Sequence, residues 1–324
     1  HRADDERGHG EHLRPLRLPL TPRRESDPML YSLRPIRLLA LLTLSLPTLF
    51  ALATQSQAQD LPIPPNAERI CTLIAEAQSG KILLEAGDCD TRVTPASTFK
   101  LPLAVMGFES GFLQSPDAPS LPFRQGDPDW GGAAWRQDTT PRHWLEYSVV
   151  WYSQRITRAL GAPTLTRYAQ AFGYGNADFS GDAGFDNGLE RAWIASSLRV
   201  SPREQLGFLR GLVNGTLPVS PQAMAATRAS TQSTEQGGWQ IWGKTGTAYP
   251  RNKDRSFDYA HGWGWFVGWA GQTNAQEPHA PTLVFVQLTR GTARTKGSPG
   301  NQTRAAVLAG WAQAMRVYQA PARR

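Results

Sequence analysis

The sequence predicts an α+β fold, an antiparallel sheet flanked by helices with an all-helical subdomain, and three observations predict it. Two alternating apolar runs early in the chain read as a β-hairpin, a group of helical patterns fills the middle, and three strand-like runs return before a last helix. Strands at both ends of a chain, separated by helices, complete one sheet when the late strands join the early pair.

The 324 residues supply ample material for a buried core, and 40% hydrophobic with 19% charged residues is a globular balance. The first 58 residues stand apart from that core. From Met29, Arg34 and Arg37 form a basic leader, residues 38–53 an apolar run and Ser56-Gln57-Ala58 a small-x-small cleavage pattern. This reads as a signal peptide cleaved near Ala58, and the expected location is periplasmic. A membrane anchor is the competing reading, but Pro47 interrupts the run and no basic stop-transfer flank follows. Residues 1–28 are read as an upstream translation artefact or disordered extension, and residues 59–324 as one catalytic domain.

Without residues 1–58 the formal net charge falls from +7 to +5. No dense Lys/Arg run interleaved with aromatics marks a nucleic-acid surface, and no second apolar run of membrane-spanning length follows the leader. The mild positive balance is compatible with anionic small substrates, and the expectation is no nucleic acid, no membrane after cleavage, and a monomer or homodimer as the assembly.

Cys71 and Cys89 flank "CTLIAEAQSGKILLEAGDC", whose turn is expected at Ser79-Gly80. A three-residue loop at 79–81 sets the two cysteines opposite each other, and an exported compartment lets them join. The alternative is two unrelated buried thiols. The next helix is expected over about 96–108, followed by a Gly/Pro/Trp-rich excursion, 115–138, packed by its own aromatics. Helical patterns occupy about 141–147, 150–160 and 163–172, and a loop runs through "GYGNADFSGDAGFDNG". "SPREQLGFLRGLVNG" carries the clearest helix punctuation: Ser201 as N-cap, Pro202 at the first position, Glu204 closing a capping box and Gly215 past the end. A further helix is expected near 220–230.

Three strands follow in "WQIWGKTGTAY", "HGWGWFVGWAG" and "APTLVFVQLTR". In the second, Trp263, Trp265, Val267 and Trp269 share a face, while Gly262, Gly264 and Gly268 fall mostly on the other and let a helix approach. The last helix is expected to start at Asn301 and to bury Ala305, Leu308, Trp311, Ala312 and Met315.

The chemistry is concentrated in "PASTFKLPLAV". Spacing of three places Ser97 and Lys100 on one helical face within hydrogen-bond reach. A serine hydroxyl needs a base before it attacks a carbonyl, and a lysine desolvated by Phe99 and Leu101 loses its proton readily enough to serve. Ser-x-x-Lys alone is common. Here Ser148-Val149-Val150, Tyr174-Gly175-Asn176 and Lys244-Thr245-Gly246 follow it, and Ser-x-x-Lys with a later Lys-Thr-Gly is the pattern of serine β-lactamases and penicillin-binding proteins. His143, His261 and His279 are too far apart in sequence for a zinc motif, so no metal is expected.

With "PASTFK", "YSVVWYSQRI", "FGYGN", "WIASSLRVSPREQ", "WGKTGT" and "GWFVGW" in order, the chain resembles the class D, oxacillinase-type serine β-lactamases over residues 66–317. Val150 stands where transpeptidases and class A enzymes usually carry Asn. The resemblance implies the serine β-lactamase/penicillin-binding transpeptidase-like fold and hydrolysis of β-lactam antibiotics through a serine acyl-enzyme. It implies Ser97 as the nucleophile and Lys100 as a general base carrying a reversible carbamate from carbon dioxide or bicarbonate, with no tightly bound cofactor. It further implies Ser148 as a proton relay, Val150 and Trp193 as carbamate-stabilising residues, and Tyr174-Gly175-Asn176 as part of the cavity floor. Lys244, Thr245 and Gly246 are implied at the substrate carboxylate, and the N–H groups of Ser97 and Thr247 at the oxyanion. A sensor domain that acylates without turnover is the alternative on the same fold. One departure is visible: "KGSPGN" lacks the arginine expected after the last strand, leaving Lys296, Ser298, Arg294 or Arg304 to replace it.

Overall fold

The computed structural model describes residues 60–274 and 280–319, so the leader and extension expected over 1–58 lie outside the described residues. Six strands, β1 (Ala67–Glu76), β2 (Ile82–Gly87), β3 (Ser233–Gln236), β4 (Trp239–Ala248), β5 (Trp263–Gln272) and β6 (Leu283–Gly291), form one sheet in the order β2-β1-β6-β5-β4-β3. Every neighbouring pair is antiparallel, and β6 pairs with β1 along its whole length, which joins the early hairpin to the late strands.

Alternation along β5 divides the core into two layers. Trp265, Val267 and Trp269 face a front layer shared with α1 (Lys100–Glu109) and α6 (Pro202–Asn214). Phe266 and Ala270 face a back layer with Val307, Trp311 and Met315 of α8 (Pro299–Gln319). A Cβ on Gly264 would lie 2.6 Å from Thr303 Oγ1 and 2.7 Å from Pro299 O, so this glycine lets α8 sit against the sheet. The helix starts two residues before the expected Asn301, because Ser298 Oγ accepts from the Asn301 N–H and Pro299 suits a first turn. Its buried face is Thr303, Val307, Trp311, Ala314 and Met315; Ala305 is exposed and Leu308 and Ala312 are half-buried.

The helical subdomain comprises α2 (Pro141–Tyr147), α3 (Val150–Leu160), α4 (Ala162–Ala171) and α5 (Gly188–Arg191), and α7 (Pro221–Ser230) packs on α1. The 115–138 excursion is held by its own rings and by this subdomain: Trp130 and Trp135 lie 5.2 Å apart, Trp135 donates to Tyr147 O, and Trp151 donates to Trp135 O. At α6 the capping box forms as read, with Glu204 N–H donating to Ser201 Oγ at 3.2 Å and Ser201 N–H to the Glu204 carboxylate at 2.9 Å. The short strand β3 was not expected. Its turn into β4 is Gly237-Gly238, both at positive φ, a two-residue loop of the kind that matches strand twist.

The first hairpin departs from the expected register. Its turn spans Ala77–Gly80, closed by Glu76 N–H to Lys81 O, and a bulge interrupts β1 between Ile74 and Ala75. Cys71 consequently faces Gly87, and Cys89 lies beyond the strand. Gly87 turns the chain back at φ +86°, where a Cβ would lie 2.1 Å from Ile70 O, and Cys89 meets Cys71 in a disulfide with Cα atoms 5.0 Å apart. The bond closes a loop with a sequence separation of 18. The Cys71→Ser, Cys89→Ser double variant is expected to lose about 3 kcal/mol of unfolding free energy in a guanidinium titration. An unchanged midpoint would show that the hairpin is held without the bond.

Candidate active site

The segment leading to Ser97 is fixed on both sides before the serine is reached. Val93 and Val200 exchange backbone hydrogen bonds at 3.0 and 2.9 Å. Thr94 Oγ1 donates to Trp193 O and accepts from Ala195 N–H, both at 3.0 Å, while Thr94 O accepts from Trp265 Nε1 at 2.9 Å. Ala96 then adopts φ +50°, a left-handed conformation that a non-glycine residue holds only when its surroundings enforce it.

Ser97 sits in a 3-10 turn, Ala96–Phe99, ahead of α1 and not inside the α-helix that the sequence suggested. Thr98 braces that turn. Its hydroxyl donates to Pro95 O at 2.7 Å and accepts from Gln205 Nε2 at 2.6 Å, and Gln205 Oε1 accepts from Tyr174 OH at 3.2 Å. Tyr174 is fully buried beneath Phe99 and Phe208, so it supports the serine turn from below and burial pushes its phenol upward. Gly175 and Ala177 carry positive φ on either side of Asn176, whose side chain donates to Ser197 O and accepts from Arg199 N–H. Gln205 and Thr98 were inside quoted motifs, but nothing in their spacing shows a bond across more than a hundred residues.

Lys100 opens α1, and its Nζ donates to Ser97 Oγ at 3.1 Å. The side chain is fully buried, and its chain neighbours Phe99 and Leu101 belong to the apolar front layer, as do Val149, Val150 and Trp193. Burial, followed by repulsion from Lys244, holds its amine well below the ordinary lysine range. Among the described residues no carboxylate pairs with it. Trp193 is fully buried with its ring 5.5 Å from that of Phe99, and its Nε1–H has no hydrogen-bond partner. A buried donor left unpaired costs about 1–3 kcal/mol, so an acceptor supplied by a ligand or modification is favoured there. Ser148 ends α2 at φ +58°, and Val150, 4% exposed, begins α3.

β4 contributes the other wall. Lys244 is buried, its Nζ donating to Thr245 O at 3.1 Å. Burial and then the charge of Arg304 lower its pKa to about 7. A Cβ at Gly246 would lie 2.9 Å from Pro95 O and 3.0 Å from Thr98 Cγ2, so only glycine lets this strand lie against the serine turn. The Gly243 N–H donates to Gln232 O, on the β3 side. In an antiparallel strand alternate residues face the same edge, so the N–H groups of Thr245 and Thr247 point there too. Pairing with β3 ends at Trp242, which leaves that edge open beside Ser97. The Thr247 hydroxyl turns the other way and accepts from Gly300 N–H at 2.9 Å, pinning the start of α8.

Of the four candidates for the missing arginine, Arg304 bonds Thr234 Oγ1 at 2.6 Å, Arg294 lies over the Tyr259 ring, Lys296 is exposed and Ser298 caps α8. No group of His, Cys, Asp and Glu among the described residues is arranged to hold a metal ion. His143 faces Tyr147, His261 bonds Asp258, and His279 lies outside the described residues.

Residues 70–316 match the penicillin binding protein transpeptidase domain. The chain is 41% identical to β-lactamase OXA-9 of Klebsiella pneumoniae over 242 residues, which is 74% of this chain and 85% of that protein. It is 34% identical to β-lactamase OXA-1 of Escherichia coli over 201 residues, 61% of this chain and 69% of the other. The crystal structure of the class D β-lactamase OXA-427 superposes with a TM-score of 0.68 at 44% identity, covering 76% of this chain and 98% of that one.

Proposed function

The chain belongs to the class D serine β-lactamases, within the penicillin-binding protein transpeptidase family, and on that premise we propose that Ser97 and Lys100 carry the reaction with Lys100 reversibly carbamylated. The observation that carries this reading is a buried amine, without a carboxylate partner among the described residues, 3.1 Å from a serine hydroxyl, with Trp193, whose indole N–H lacks an acceptor, packed on the adjacent Phe99. These residues fit a carbamate: a neutral amine takes up carbon dioxide, and the resulting anion suits the Trp193 donor. When present, the group supplies a carboxylate-like base beside Ser97 in place of a cation.

The remaining work falls to side chains and main chain already described. Ser97 Oγ bonds to the β-lactam carbonyl carbon as its proton leaves on the Lys100 side, and the ring C–N bond breaks. The N–H groups of Ser97 and Thr247 receive the developing oxyanion. Ser148 delivers a proton to the departing ring nitrogen, and Lys244 and Thr245 hold the substrate carboxylate. Val149, Val150 and Phe99 keep water off the Lys100 amine. Water then displaces the acyl group from Ser97, and the product leaves. We further infer export to an oxidising compartment, a reading supported by the leader pattern and the Cys71–Cys89 bond. Among the described residues no helix is long and apolar enough to cross a membrane.

Protein equilibrated with 13C-bicarbonate is expected to give one carbamate carbonyl resonance that disappears in Lys100→Ala. The sign of the pH effect follows from the amine: protonation removes its nucleophilic lone pair, so the resonance and activity should both decline toward acid and recover with bicarbonate. Absence of the resonance, together with activity indifferent to bicarbonate, would sink the carbamate.

A further inference from the structure

Asp182 lies in the loop that precedes Trp193, two guanidinium groups lie against it, and a third acts on it by charge. Its carboxylate, 15% exposed, is 3.8 Å from Arg191 Nε and 3.7 Å from Arg255 Nη2, and the charge of Arg251 also acts on it. The other acidic groups close by offset only part of the excess, the charge of Glu190 also acting on Arg191. Glu190 is engaged by Arg158, Asp254 accepts from Ser256 N–H and Oγ, and Asp186 is exposed without an ion pair among the described residues. One carboxylate is thus shared by Arg191 and Arg255, at separations longer than a close ion pair, and feels the charge of Arg251 as well. The crowding is felt within the cluster: burial, then the charge of Arg251, holds the Arg191 guanidinium below its ordinary range.

The arginines are also held in place. Arg251 lies 4.4 Å over Phe257 and Arg255 4.6 Å over Phe185, which fixes each fork by stacking. Arg255 sits at φ +68°, a conformation maintained by its N–H bond to Asn252 O and by Arg251 Nη1 donating to Arg255 O at 2.8 Å. Arg251 Nε is buried with no partner. Cations fixed this close together, with donors unspent, favour an anion that joins them.

Their position follows from the two loops that carry them. Arg191 ends α5, two residues before Trp193, and the segment that follows is secured to the serine segment through Ala195 N–H and Thr94 Oγ1. Arg251 and Arg255 lie in the loop that continues β4 past Thr247, and a strand advances about 3.3 Å per residue, so Arg251 is on the order of 13 Å further along the chain. A β-lactam presents its ring carboxylate and its acyl side chain at opposite ends. With the carboxylate at Lys244 and Thr245 and the carbonyl at Thr247, the acyl side chain runs toward this loop.

We propose that Arg191, Arg251 and Arg255 form a specificity subsite for a second anionic group, a carboxylate at the far end of the β-lactam acyl side chain. The inference rests on Ser97 being the reacting centre. It is tested with a matched pair, 6-aminopenicillanic acid acylated with adipic acid and with hexanoic acid, which differ in the terminal carboxylate. The adipoyl compound should show a kcat/KM about tenfold or more above the hexanoyl compound, in line with a hydrogen bond to a charged group. That ratio should fall with added salt, and it should drop toward one in Arg255→Gln and in Arg251→Gln. Measuring both compounds on each variant removes any general loss of folded enzyme from the ratio. Turnover of both compounds at equal kcat/KM, or a ratio that survives both substitutions, would overturn the subsite and leave the Ser97 reading intact. Turnover of neither would overturn that reading as well.

Discussion

Ser97→Ala should lower kcat on a chromogenic cephalosporin by a factor on the order of 10^5 to 10^6, the loss usual when a covalent nucleophile is removed. The mechanism of the loss is specific. Lys100 would still point at position 97, and the turn would still be braced by Thr98, Gln205 and Tyr174, so thermal unfolding should move by only a degree or two on the scale of a surface change. Mass spectrometry after mixing with a penicillin should find an adduct on the parent enzyme at early times only, decaying as product forms, and none on the variant. A permanent adduct on the parent protein would instead describe a sensor that captures the ring and cannot release it. Full activity in Ser97→Ala would move the chemistry to another residue altogether.

Trp193→Phe is the second large effect. Phenylalanine keeps an aromatic ring against Phe99 and removes a buried N–H that finds no partner. If that N–H holds the anion on Lys100, its loss leaves a buried charge short of a donor, and the enzyme should stall with the acyl group still on Ser97. The expected result is a fall in kcat of roughly 10^2 to 10^3, typical of removing one preorganised donor, with deacylation slowed more than acylation. Partial recovery at high bicarbonate should accompany it, because mass action restores what the weaker site loses. Equal losses in both steps, with no response to bicarbonate, would reduce Trp193 to a packing residue.

The sequence carried the local rules well. The helices over 141–147 and 150–160, the Ser201–Glu204 capping box and the alternating strands around Lys244 and Trp265 each rest on periodicity or on contacts within four residues, and they stand where those rules put them. The errors lie where distant parts of the chain decide. A bulge in β1 shifted the hairpin register, so Cys89 reaches Cys71 from beyond the strand. The buried face of α8 follows the groove offered by β4 and β5, which no count along the helix reveals. At the site, Ser97, Lys100 and Lys244 were legible because their chemistry has a written pattern. The brace from Tyr174 through Gln205 to Thr98, and the grouping of Arg191, Arg251 and Arg255 around Asp182, were not. Each joins segments far apart in sequence, and Arg and Gln occur too commonly on surfaces to be singled out in advance.

The open edge of β4 has a bearing on drug escape. Along it the donors are peptide groups, and a peptide N–H survives every amino-acid exchange at its own position except one to proline. An inhibitor that draws its affinity from residues 245 and 247 through the backbone would therefore leave a resistant lineage few single-codon exits there. Compounds relying on side-chain charge would enjoy no such protection.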